Sequence, residues 1–414
     1  MALSRINVAS GRQLEKLAHY SRALRAGDMV LQSGTTAIDR AGAVRGEGDV
    51  AAQVDAIMAI AEWSMGKAGG RLDDVVRSRI YVTDVSTADR AARAIAKRFR
   101  QARPAATLVQ VNGLARPTQL IEIELDAVDG AAGSAERIGS GRAIEEEYAY
   151  SRAVRVGDRV FVAGTTSLTP QGVVEGPGDM YRQTRHVMDT IFAAMDRAGA
   201  RPGDLVYTKT FVTDLDQSAE YTRGFVDALA GAGDVRPTST LLGIPALLRP
   251  EMLIEIEAEA IIGAAATRRD VYTEKMRERP RGYARAVEVG DRVYVSGCTS
   301  MNSSGEPQAA GDWAAQYDLS HETIRWALAQ TGARMDDVIR KRTFTVDGAR
   351  QNRPYGEGPA WFAQSCPTSL GCRITGLARP ELVVEVEAMA IKGAHAGIDW
   401  VLPDEVDPLD RPRP

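Results

Sequence analysis

The segment Tyr20-Ser-Arg-Ala23 decides the fold, because the chain contains it three times. It returns as Tyr150-Ser-Arg-Ala153 and as Tyr283-Ala-Arg-Ala286, one domain length apart each time. Each copy is followed, in the same order, by a Gly-Asp pair, a strand end that contains glycine and a closing run with two glutamates. The closing runs are Ile121-Glu-Ile-Glu124, Ile254-Glu-Ile-Glu257 and Val384-Glu-Val-Glu387. A period of this length predicts three domains in tandem and not a short-period solenoid.

The 414 residues therefore divide into three repeats of domain size. We place repeat 1 at residues 1–134, repeat 2 at 135–266 and repeat 3 at 267–396, followed by a tail at 397–414. The joins between repeats are rich in glycine, alanine and serine, which is typical of linkers. The tail is rich in proline, which predicts a coil.

Composition places the chain among ordinary globular proteins. A net charge of −4, with 44% hydrophobic and 26% charged residues, excludes a disordered chain and argues against a basic nucleic-acid clamp. No apolar run is long enough for a membrane span, and the N-terminus lacks the apolar segment of a secretory signal. Three cysteines and four histidines without ligand spacing predict neither a disulfide framework nor a metal site. We therefore expect a cytoplasmic protein without a metal, a cofactor, a nucleic-acid partner or a membrane partner.

Residue periodicity within one repeat predicts a ββαβαββ unit of the α+β class. In repeat 2, residues 159–163 and 207–213 have the β-branched and aromatic pattern of strands, and residues 187–195 have the apolar spacing of a helix. Residues 218–229 predict a second, shorter helix. Both helices carry one apolar stripe, so they cover one face of a sheet. The other face must then be buried against the sister repeats.

Repeat 3 departs from this pattern where its second helix should lie. The run from Asn352 to Pro359 contains two prolines and two glycines, which interrupt a helix. The equivalent stretches in the other repeats, residues 89–99 and 220–229, predict helices. Together with Trp361, the loop indicates either specialisation of one cleft or drift in a nonfunctional repeat.

The ordered motifs resemble those of the reactive intermediate deaminase family, also called RidA or YjgF-like. The shared motifs are Tyr-Ser-x-Ala-Val, a Gly-Asp turn, Val-x-Val-Ser-Gly and a closing Val-Glu-Ile-Glu-Ala strand, and they cover nearly all of each repeat. The resemblance implies chorismate-mutase-like subunits in a trimer, with the sheets around a central barrel, the helices outside and the clefts between subunits. For this chain it implies an intramolecular pseudotrimer. It also implies a small-molecule substrate, because the best-known members hydrolyse enamines and imines to a keto acid and ammonia.

One family residue is missing from all three copies. Active members carry an arginine directly after Pro-Ala in the penultimate strand, where it binds the substrate carboxylate. The matching positions in this chain are Ala106, Ser239 and Ser369. The chain therefore resembles the branches of the family that lack this arginine, and a different cation would have to bind an anionic substrate.

Paired glutamates are the first candidates for catalysis. In a Glu-x-Glu strand both carboxylates lie on one face, and buried carboxylates need partners. One interpretation makes the second glutamate a general base that positions water, with a pKa raised by burial, and the resemblance favours this position. The residues concerned are Glu124, Glu257 and Glu387. The alternative is a structural lattice of ion pairs with the cations on neighbouring strands, which are Arg79, Lys209 and Arg342.

Candidate substrate-binding residues recur with the same spacing. A tyrosine could donate a hydrogen bond to a substrate or fill the edge of the core, and the copies are Tyr20, Tyr150 and Tyr283. Hydroxyls and backbone amides at the glycine-containing strand end could hold an anion. These residues are Ser33, Ser296, Gly34, Gly164 and Gly297, with Ala163 in place of the serine in repeat 2.

Four arginines are candidates to replace the absent family arginine. Three repeat in register and are equally consistent with surface salt bridges, namely Arg22, Arg152 and Arg285. The fourth, Arg373, lies on the same strand parity as Ser369 and could recover part of an anion site. Cys298 stands where the other repeats have threonine, either as a nucleophile or as a small buried thiol.

Three functions are consistent with the sequence. The first is an enamine or imine deaminase, a hydrolase that acts on a small anionic nitrogen-containing metabolite in a cleft between repeats. The second is a pathway-specific hydrolase or lyase that acts on a ring or a ring-cleavage product, which the remodelled third repeat favours. The third is a noncatalytic small-molecule-binding or chaperone-like protein, which the loss of the family arginine favours.

Overall fold

The computed structural model describes residues 3–273, 277–349, 351–354 and 356–410. It has the expected α+β architecture, with three mixed sheets, one for each repeat. The elements of repeat 1 are β1 (Arg5–Val8), α1 (Gln13–Leu17), β2 (Ala23–Ala26), β3 (Met29–Thr35), α2 (Val50–Lys67), β4 (Val75–Val82), α3 (Ala88–Phe99), β5 (Ala105–Gln110) and β6 (Ile121–Val128).

Repeats 2 and 3 follow the same plan. The join between repeats 1 and 2 forms α4 (Ala131–Ser134), and repeat 2 contains β7 (Glu136–Ile138), α5 (Ala143–Glu147), β8 (Ala153–Val156), β9 (Arg159–Thr166), α6 (Met180–Arg197), β10 (Leu205–Val212), α7 (Ser218–Gly231), β11 (Thr238–Gly243) and β12 (Ile254–Ile261). The join between repeats 2 and 3 forms α8 (Ala264–Thr267), repeat 3 contains β13 (Arg269–Val271), β14 (Ala286–Val289), β15 (Arg292–Cys298), α9 (Trp313–Gln330), β16 (Val338–Val346), β17 (Thr368–Ile374) and β18 (Val384–Ile391), and the tail contains β19 (Ile398–Val401).

The three sheets share one strand order. In repeat 2 this order is β11-β10-β12-β9-β8-β7, and repeats 1 and 3 repeat it with their own strands. The outer pair, β10 with β11, is parallel because α7 carries the chain back across the sheet between these strands. The long helices α2, α6 and α9 begin at aspartates whose side chains accept hydrogen bonds from free backbone N–H groups of the first turn, at Asp49, Asp179 and Asp312.

Each repeat has its own core, and a shared core joins the repeats. Beneath α6, Val187 and Ile191 pack with Ile254 and Ile256 of β12. The opposite sheet faces meet in the middle of the molecule, where side chains from all three repeats form one cluster around Tyr81, Phe211 and Phe344. The sister repeats therefore bury the face of each sheet that the helices leave open.

The expected closed barrel is not found in the described part of the chain, where the three sheets remain separate strand ladders. Isolated backbone hydrogen bonds, such as the one from Ser151 N–H to the Pro104 carbonyl at 3.0 Å, and side chains bridge neighbouring repeats in place of a continuous ladder. The Ser296 hydroxyl, for example, accepts a hydrogen bond from the Ser239 backbone N–H at 2.9 Å and donates to the Ala284 carbonyl at 2.6 Å. A hydroxyl that fills this gap between strand edges leaves no room for direct strand pairing at that point.

Repeat 3 has no helix between β16 and β17 among its described residues. Repeats 1 and 2 have α3 and α7 at this place. The prolines and glycines of residues 352–359 account for the difference.

The tail packs onto repeat 1, and the prediction of a coil is wrong for the strand at residues 398–401 and for the short 3-10 turn at residues 408–410. β19 pairs in parallel with β1. Beyond it, Asp404 accepts a hydrogen bond from Trp63 Nε1 at 2.8 Å, and Asp407 pairs with Arg12 at 3.4 Å. These contacts hold residues 398–407 against repeat 1.

Candidate active site between repeats 2 and 3

Each cleft forms where the last parallel strand of one repeat lies against the glycine-containing strand of the next. β5 lies against β9, β11 against β15, and β17 against β3. The first glutamate of each closing pair reaches this boundary: Glu122, Glu255 and Glu385. Its carboxylate lies so close to the glycine of the neighbouring strand in the same sheet that a Cβ on that glycine would overlap with it. The glycines Gly34, Gly164 and Gly297 are therefore required by the approach of the carboxylates.

The first glutamates are buried without full charge compensation. Glu385 is 7% exposed and forms no ion pair among the described residues. Burial raises its pKa to about 8, the Glu387 carboxylate adds to the rise, and Arg285 opposes it. Burial likewise raises the pKa values of Glu122 and Glu255 to about 8. A carboxyl group with this pKa exchanges a proton near neutral pH, which is the property that acid–base catalysis needs.

The repeated arginine holds the repeated tyrosine in place. Arg285 donates through Nε to Glu278 at 2.9 Å, through Nη1 to the Gly297 carbonyl at 2.6 Å and through Nη2 to the Tyr283 hydroxyl at 3.2 Å. In repeat 1, Arg22 makes the same three contacts, and in repeat 2 Arg152 makes them with a longer ion pair to the glutamate. Because these arginines are already hydrogen-bonded to groups of the protein, we infer that they orient the tyrosines.

The second glutamates belong to a buried cyclic lattice of ion pairs. Arg79 of repeat 1 donates to Glu257 of repeat 2 at 2.7 Å. Lys209 of repeat 2 pairs with Glu387 of repeat 3 at 2.8 Å. Arg342 of repeat 3 donates to Glu124 of repeat 1 at 2.8 Å, which completes the cycle.

This lattice keeps the second glutamates ionised. Burial by itself would raise the pKa of Glu387, but Lys209 and Arg342 outweigh burial and lower it to about 2. The pKa of Glu124 is also about 2, because Arg342, Arg340 and Arg79 outweigh burial, and the pKa of Glu257 is lowered for the same kind of reason. A carboxylate held by two or three cations is a poor base, and this arrangement matches the structural alternative stated for Glu124, Glu257 and Glu387.

The cleft between repeats 2 and 3 encloses a cavity of about 110 Å³. Repeat 2 contributes Tyr221 and Ser239, and repeat 3 contributes Tyr283 and Glu385. Arginines line the same cavity, at Arg277, Arg281, Arg285 and Arg379. The cavity therefore combines a protonatable carboxyl group, two phenols and several cations.

Two of these arginines have no counterpart in the other clefts. Counted back from the repeated tyrosine, Arg277 and Arg281 match Leu14 and Ala18 in repeat 1, and Ile144 and Tyr148 in repeat 2. Neither arginine forms an ion pair among the described residues. Two cations without carboxylate partners in a cavity favour an anionic ligand.

The cavity contains residues that the sequence interpretation missed, namely Tyr221, Arg277, Arg281 and Glu385. A signal for the arginines exists in the sequence. The segment before the tyrosine reads Arg-Glu-Arg-Pro-Arg-Gly in repeat 3 but contains no arginine at the matching positions in the other copies. Comparison of the three copies, instead of their common motif, would have identified it.

The other predicted site residues take structural positions. Ser33 donates to the Ser21 carbonyl at 2.6 Å and accepts from the Ser369 N–H at 2.9 Å, as Ser296 does at its own boundary. The Cys298 thiol is buried and lies 3.4 Å from Arg285 Nη1, where the other repeats place a threonine hydroxyl. Arg373 pairs with Asp347 at 3.6 Å, and both side chains are about half exposed.

No group of three or more His, Cys, Asp or Glu side chains is arranged to hold a metal ion in the described part of the chain. Among the described helices, none combines the length and the apolar character that crossing a membrane requires.

Comparison with known proteins gives a consistent result. The family model described as Endoribonuclease L-PSP matches the chain three times, at residues 10–129, 140–262 and 276–392. An uncharacterized protein of Streptomyces coelicolor is 33% identical over 131 residues, which is 31% of this chain and 92% of that protein. The 3-aminoacrylate deaminase RutC of Acinetobacter baylyi is 36% identical over 111 residues, or 26% of this chain and 85% of that protein.

A match to a solved structure also extends beyond a single repeat. The crystal structure of a chorismatase matches 77% of this chain and 93% of its own, with 16% sequence identity and a TM-score of 0.50. At this identity the match concerns the fold alone, and it extends over more than two repeats of this chain.

Proposed function

The chain belongs to the Endoribonuclease L-PSP family, also called YjgF/RidA, and we propose that it is a pseudotrimeric hydrolase that uses the cleft between repeats 2 and 3. One observation carries this proposal. Only this cleft adds Arg277 and Arg281, which lack carboxylate partners among the described residues, to a buried and protonatable glutamate, Glu385. The other two clefts have apolar residues or a tyrosine at the matching positions.

The substrate is a small anion that carries a flat ring. Arg277 and Arg281 supply the positive charge that a carboxylate or a similar group needs in a partly desolvated site. The rings of Tyr221 and Tyr283 and the side chain of Leu241 give the cavity flat and apolar walls. The likeness to a chorismatase over most of both chains supports a ring-bearing carboxylate as the first class of compound to test.

Glu385 is the proton donor and acceptor of the reaction. With a pKa of about 8 it is mostly protonated at pH 7, so it donates its proton to the nitrogen or oxygen atom that leaves. The resulting carboxylate then takes a proton from the attacking water, whose oxygen bonds to the substrate carbon. The glutamate ends the cycle protonated, and the net reaction adds one water across the broken bond.

Tyr283 is the second group that meets the substrate. Arg285 donates to its hydroxyl oxygen, which leaves the phenol hydrogen free to point into the cavity. Burial raises the pKa of Tyr283, so the phenol stays protonated and acts as a hydrogen-bond donor. Arg285 is therefore a positioning residue for Tyr283.

Hydrolysis of an enamine or imine is the second candidate function. It is favoured by the 36% identity to a 3-aminoacrylate deaminase. Ser239 occupies the position of the family arginine and lines the cavity, and Arg281 lines the same cavity from repeat 3. In this version Arg281 binds the substrate carboxylate, Glu385 protonates the nitrogen, and water replaces ammonia at the carbon.

Turnover by matched glutamate variants tests both versions. The purified protein is assayed with chorismate, with other cyclic carboxylates and with imino acids generated in place by an amino-acid oxidase. We expect Glu385→Gln to lower kcat about 100-fold or more for the substrate that is turned over, because the proton donor is lost. Glu122→Gln and Glu255→Gln change the same residue in the other clefts and should keep at least half of the activity.

Other outcomes would overturn the proposal. Full activity in Glu385→Gln, with loss in Glu122→Gln or Glu255→Gln, would move the reaction to another cleft. No turnover of any compound by the wild-type protein would favour the noncatalytic alternative. Circular dichroism and thermal unfolding of each variant show whether a loss of activity reflects loss of the fold.

A further inference from the structure

Repeat 3 replaces its second helix with an aromatic cluster. At positions where α6 of repeat 2 has Met180, Thr184 and Met188, the matching helix α9 has Trp313, Tyr317 and His321. In repeat 2 these positions lie beneath α7. In repeat 3 the rings instead meet Trp361 and Phe362 of the loop that precedes β17.

The rings form a continuous stack. Trp313 and Tyr317 are nearly parallel, with centroids 4.7 Å apart and planes at 16°. Tyr317 and His321 follow at 4.2 Å with their planes tilted by 49°, and His321 stacks on Trp361 at 5.4 Å and 20°. A stack held at both the helix and the loop presents fixed flat surfaces.

A cavity of about 80 Å³ opens beside this stack. Trp313, Tyr317 and Trp361 line it from repeat 3, and Leu17 and Ala18 line it from repeat 1. This volume is several times the space that one buried water needs. The cavity is separate from the cleft between repeats 2 and 3, because the two share no lining residue.

Lys341 gives the cavity a buried positive charge. Its side chain lines the cavity, the residue is 5% exposed, and no carboxylate of the described residues lies within ion-pair distance. Its ammonium donates to the Tyr317 hydroxyl at 3.3 Å and lies 5.2 Å from the centre of the Phe362 ring. The matching residues in the other repeats are the neutral Ser78 and Thr208.

The neighbouring charges do not neutralise Lys341. The Asp318 carboxylate is already paired with Arg353, which also lines the cavity. It accepts hydrogen bonds from both terminal nitrogens of Arg353, at 2.7 and 2.9 Å. Glu357 lies on the exposed loop at the rim. A buried ammonium without an anionic partner is costly. An anion that enters the cavity would remove this cost.

We propose that this cavity is a second binding site, specific for a small aromatic carboxylate. The carboxylate pairs with the Lys341 ammonium, and the ring lies against the indoles of Trp313 and Trp361. The site is independent of the hydrolytic cleft and stands whether or not the proposed reaction is correct. It explains why repeat 3 combines a lost helix, a stack of rings and an added lysine.

Calorimetric titration with benzoate tests this site on the full chain. We expect the wild-type protein to bind one benzoate here and to bind benzamide, which has the same ring without the charge, at least about tenfold more weakly. Lys341→Met keeps the length of the side chain and should weaken benzoate binding about tenfold or more. Lys392→Met removes a lysine that pairs with Glu288 elsewhere and should leave binding unchanged.

Two further variants distinguish benzoate binding in this cavity from benzoate binding in the hydrolytic cleft. Ala18→Trp fills the cavity from repeat 1 while Lys341 stays in place, and it should also abolish binding. Arg281→Gln changes the other cleft and should not affect this binding event. The proposal is overturned if the wild-type protein binds no benzoate, if Lys341→Met and Ala18→Trp both bind it normally while folded, or if Arg281→Gln alone abolishes binding.

Discussion

Glu385 and Glu387 lie two residues apart on β18, yet they have opposite environments. Glu385 faces the cleft, and burial raises its pKa to about 8. Glu387 faces the centre of the molecule, where Lys209 and Arg342 outweigh burial and lower its pKa to about 2. Both are buried, so burial alone does not distinguish them. The number of cations that form ion pairs with each carboxylate decides which glutamate is structural and which can exchange protons.

The cross-strand partners explain the difference. On the neighbouring strand, the second glutamates pair with the cations Arg79, Lys209 and Arg342. The first glutamates pair there with the aromatic residues Tyr81, Phe211 and Phe344. A cation opposite a carboxylate stabilises its charge, and an aromatic ring excludes water from it. The neighbouring strand thus places a cation opposite the second glutamate and an aromatic ring opposite the first glutamate, two residues away.

The largest expected effect comes from removing a carboxylate of the lattice. Glu387→Gln leaves the Lys209 ammonium and part of the Arg342 guanidinium buried without a counter-charge. We expect the free energy of unfolding at pH 7 to fall by about 3–5 kcal/mol, the usual cost of breaking a buried pair from one side. Urea unfolding followed by circular dichroism measures this loss.

An exposed ion pair provides the control for Glu387. Glu220 pairs with Arg223 on the surface of α7, and Glu220→Gln should cost about 0–1 kcal/mol. The lattice also predicts a pH dependence. Because the pKa of Glu387 is lowered in the folded state, its contribution is complete above about pH 4.5 and is lost as the pH falls toward 2. Equal losses in Glu387→Gln and Glu220→Gln would show that the lattice is not structural.

The next effect has the opposite sign and concerns a first glutamate outside the proposed active cleft. The pKa of Glu122 is raised in the folded state to about 8, so the folded protein holds a proton that the unfolded chain releases above about pH 4.5. The resulting stability is complete below pH 4.5 and declines as the pH rises to 8. Glu122→Gln replaces the protonated carboxyl group with a neutral amide of the same shape. The stability of this variant should therefore not decline in this way.

Unfolding of Glu122→Gln at pH 5, 7 and 8.5 measures this difference. At pH 8.5 we expect the free energy of unfolding of the variant to exceed that of the wild-type protein by on the order of 2 kcal/mol. This difference corresponds to about half of the full pKa shift of Glu122. The gain should be smallest at pH 5. Glu62→Gln, at an exposed site on α2, serves as the control. A gain that does not grow with pH would mean that Glu122 is ionised in the folded protein.

Much of the fold could be predicted from the sequence, because repetition and residue periodicity report local structure directly. The interruption of the second helix in repeat 3 followed from Pro354 and Pro359, which constrain their own backbone. The docking of the tail could not be predicted in this way. Asp404 and Asp407 gain their partners from residues near the start of the chain, and no local pattern records that contact.

The site was only partly predictable for a related reason. Strand parity places Glu385 and Glu387 on the same face, so the period of two cannot assign one to the cleft and the other to the lattice. The cations opposite the second glutamates were visible in the sequence and supported the lattice. Arg281, which forms no ion pair among the described residues, was visible only as a difference between copies, and the cavity that it shares with Tyr221 and Ser239 depends on how repeat 3 packs against repeat 2.

The smallest expected effect tests whether one cleft differs from the other two through its added cations. Arg281→Gln should raise KM for an anionic substrate about tenfold, because one charge-assisted contact is lost, while kcat changes little. Arg279→Gln is the control, since Arg279 belongs to the same turn but stacks on Tyr272 at 3.7 Å and is absent from the cavity lining. A neutral analogue of the substrate should show no difference between the two variants. If both variants raise KM equally, the turn acts through its overall positive charge, and Arg281 does not contact the substrate directly. If only Arg281→Gln does so, Arg281 binds the substrate directly, and its charge is part of what separates this cleft from the other two.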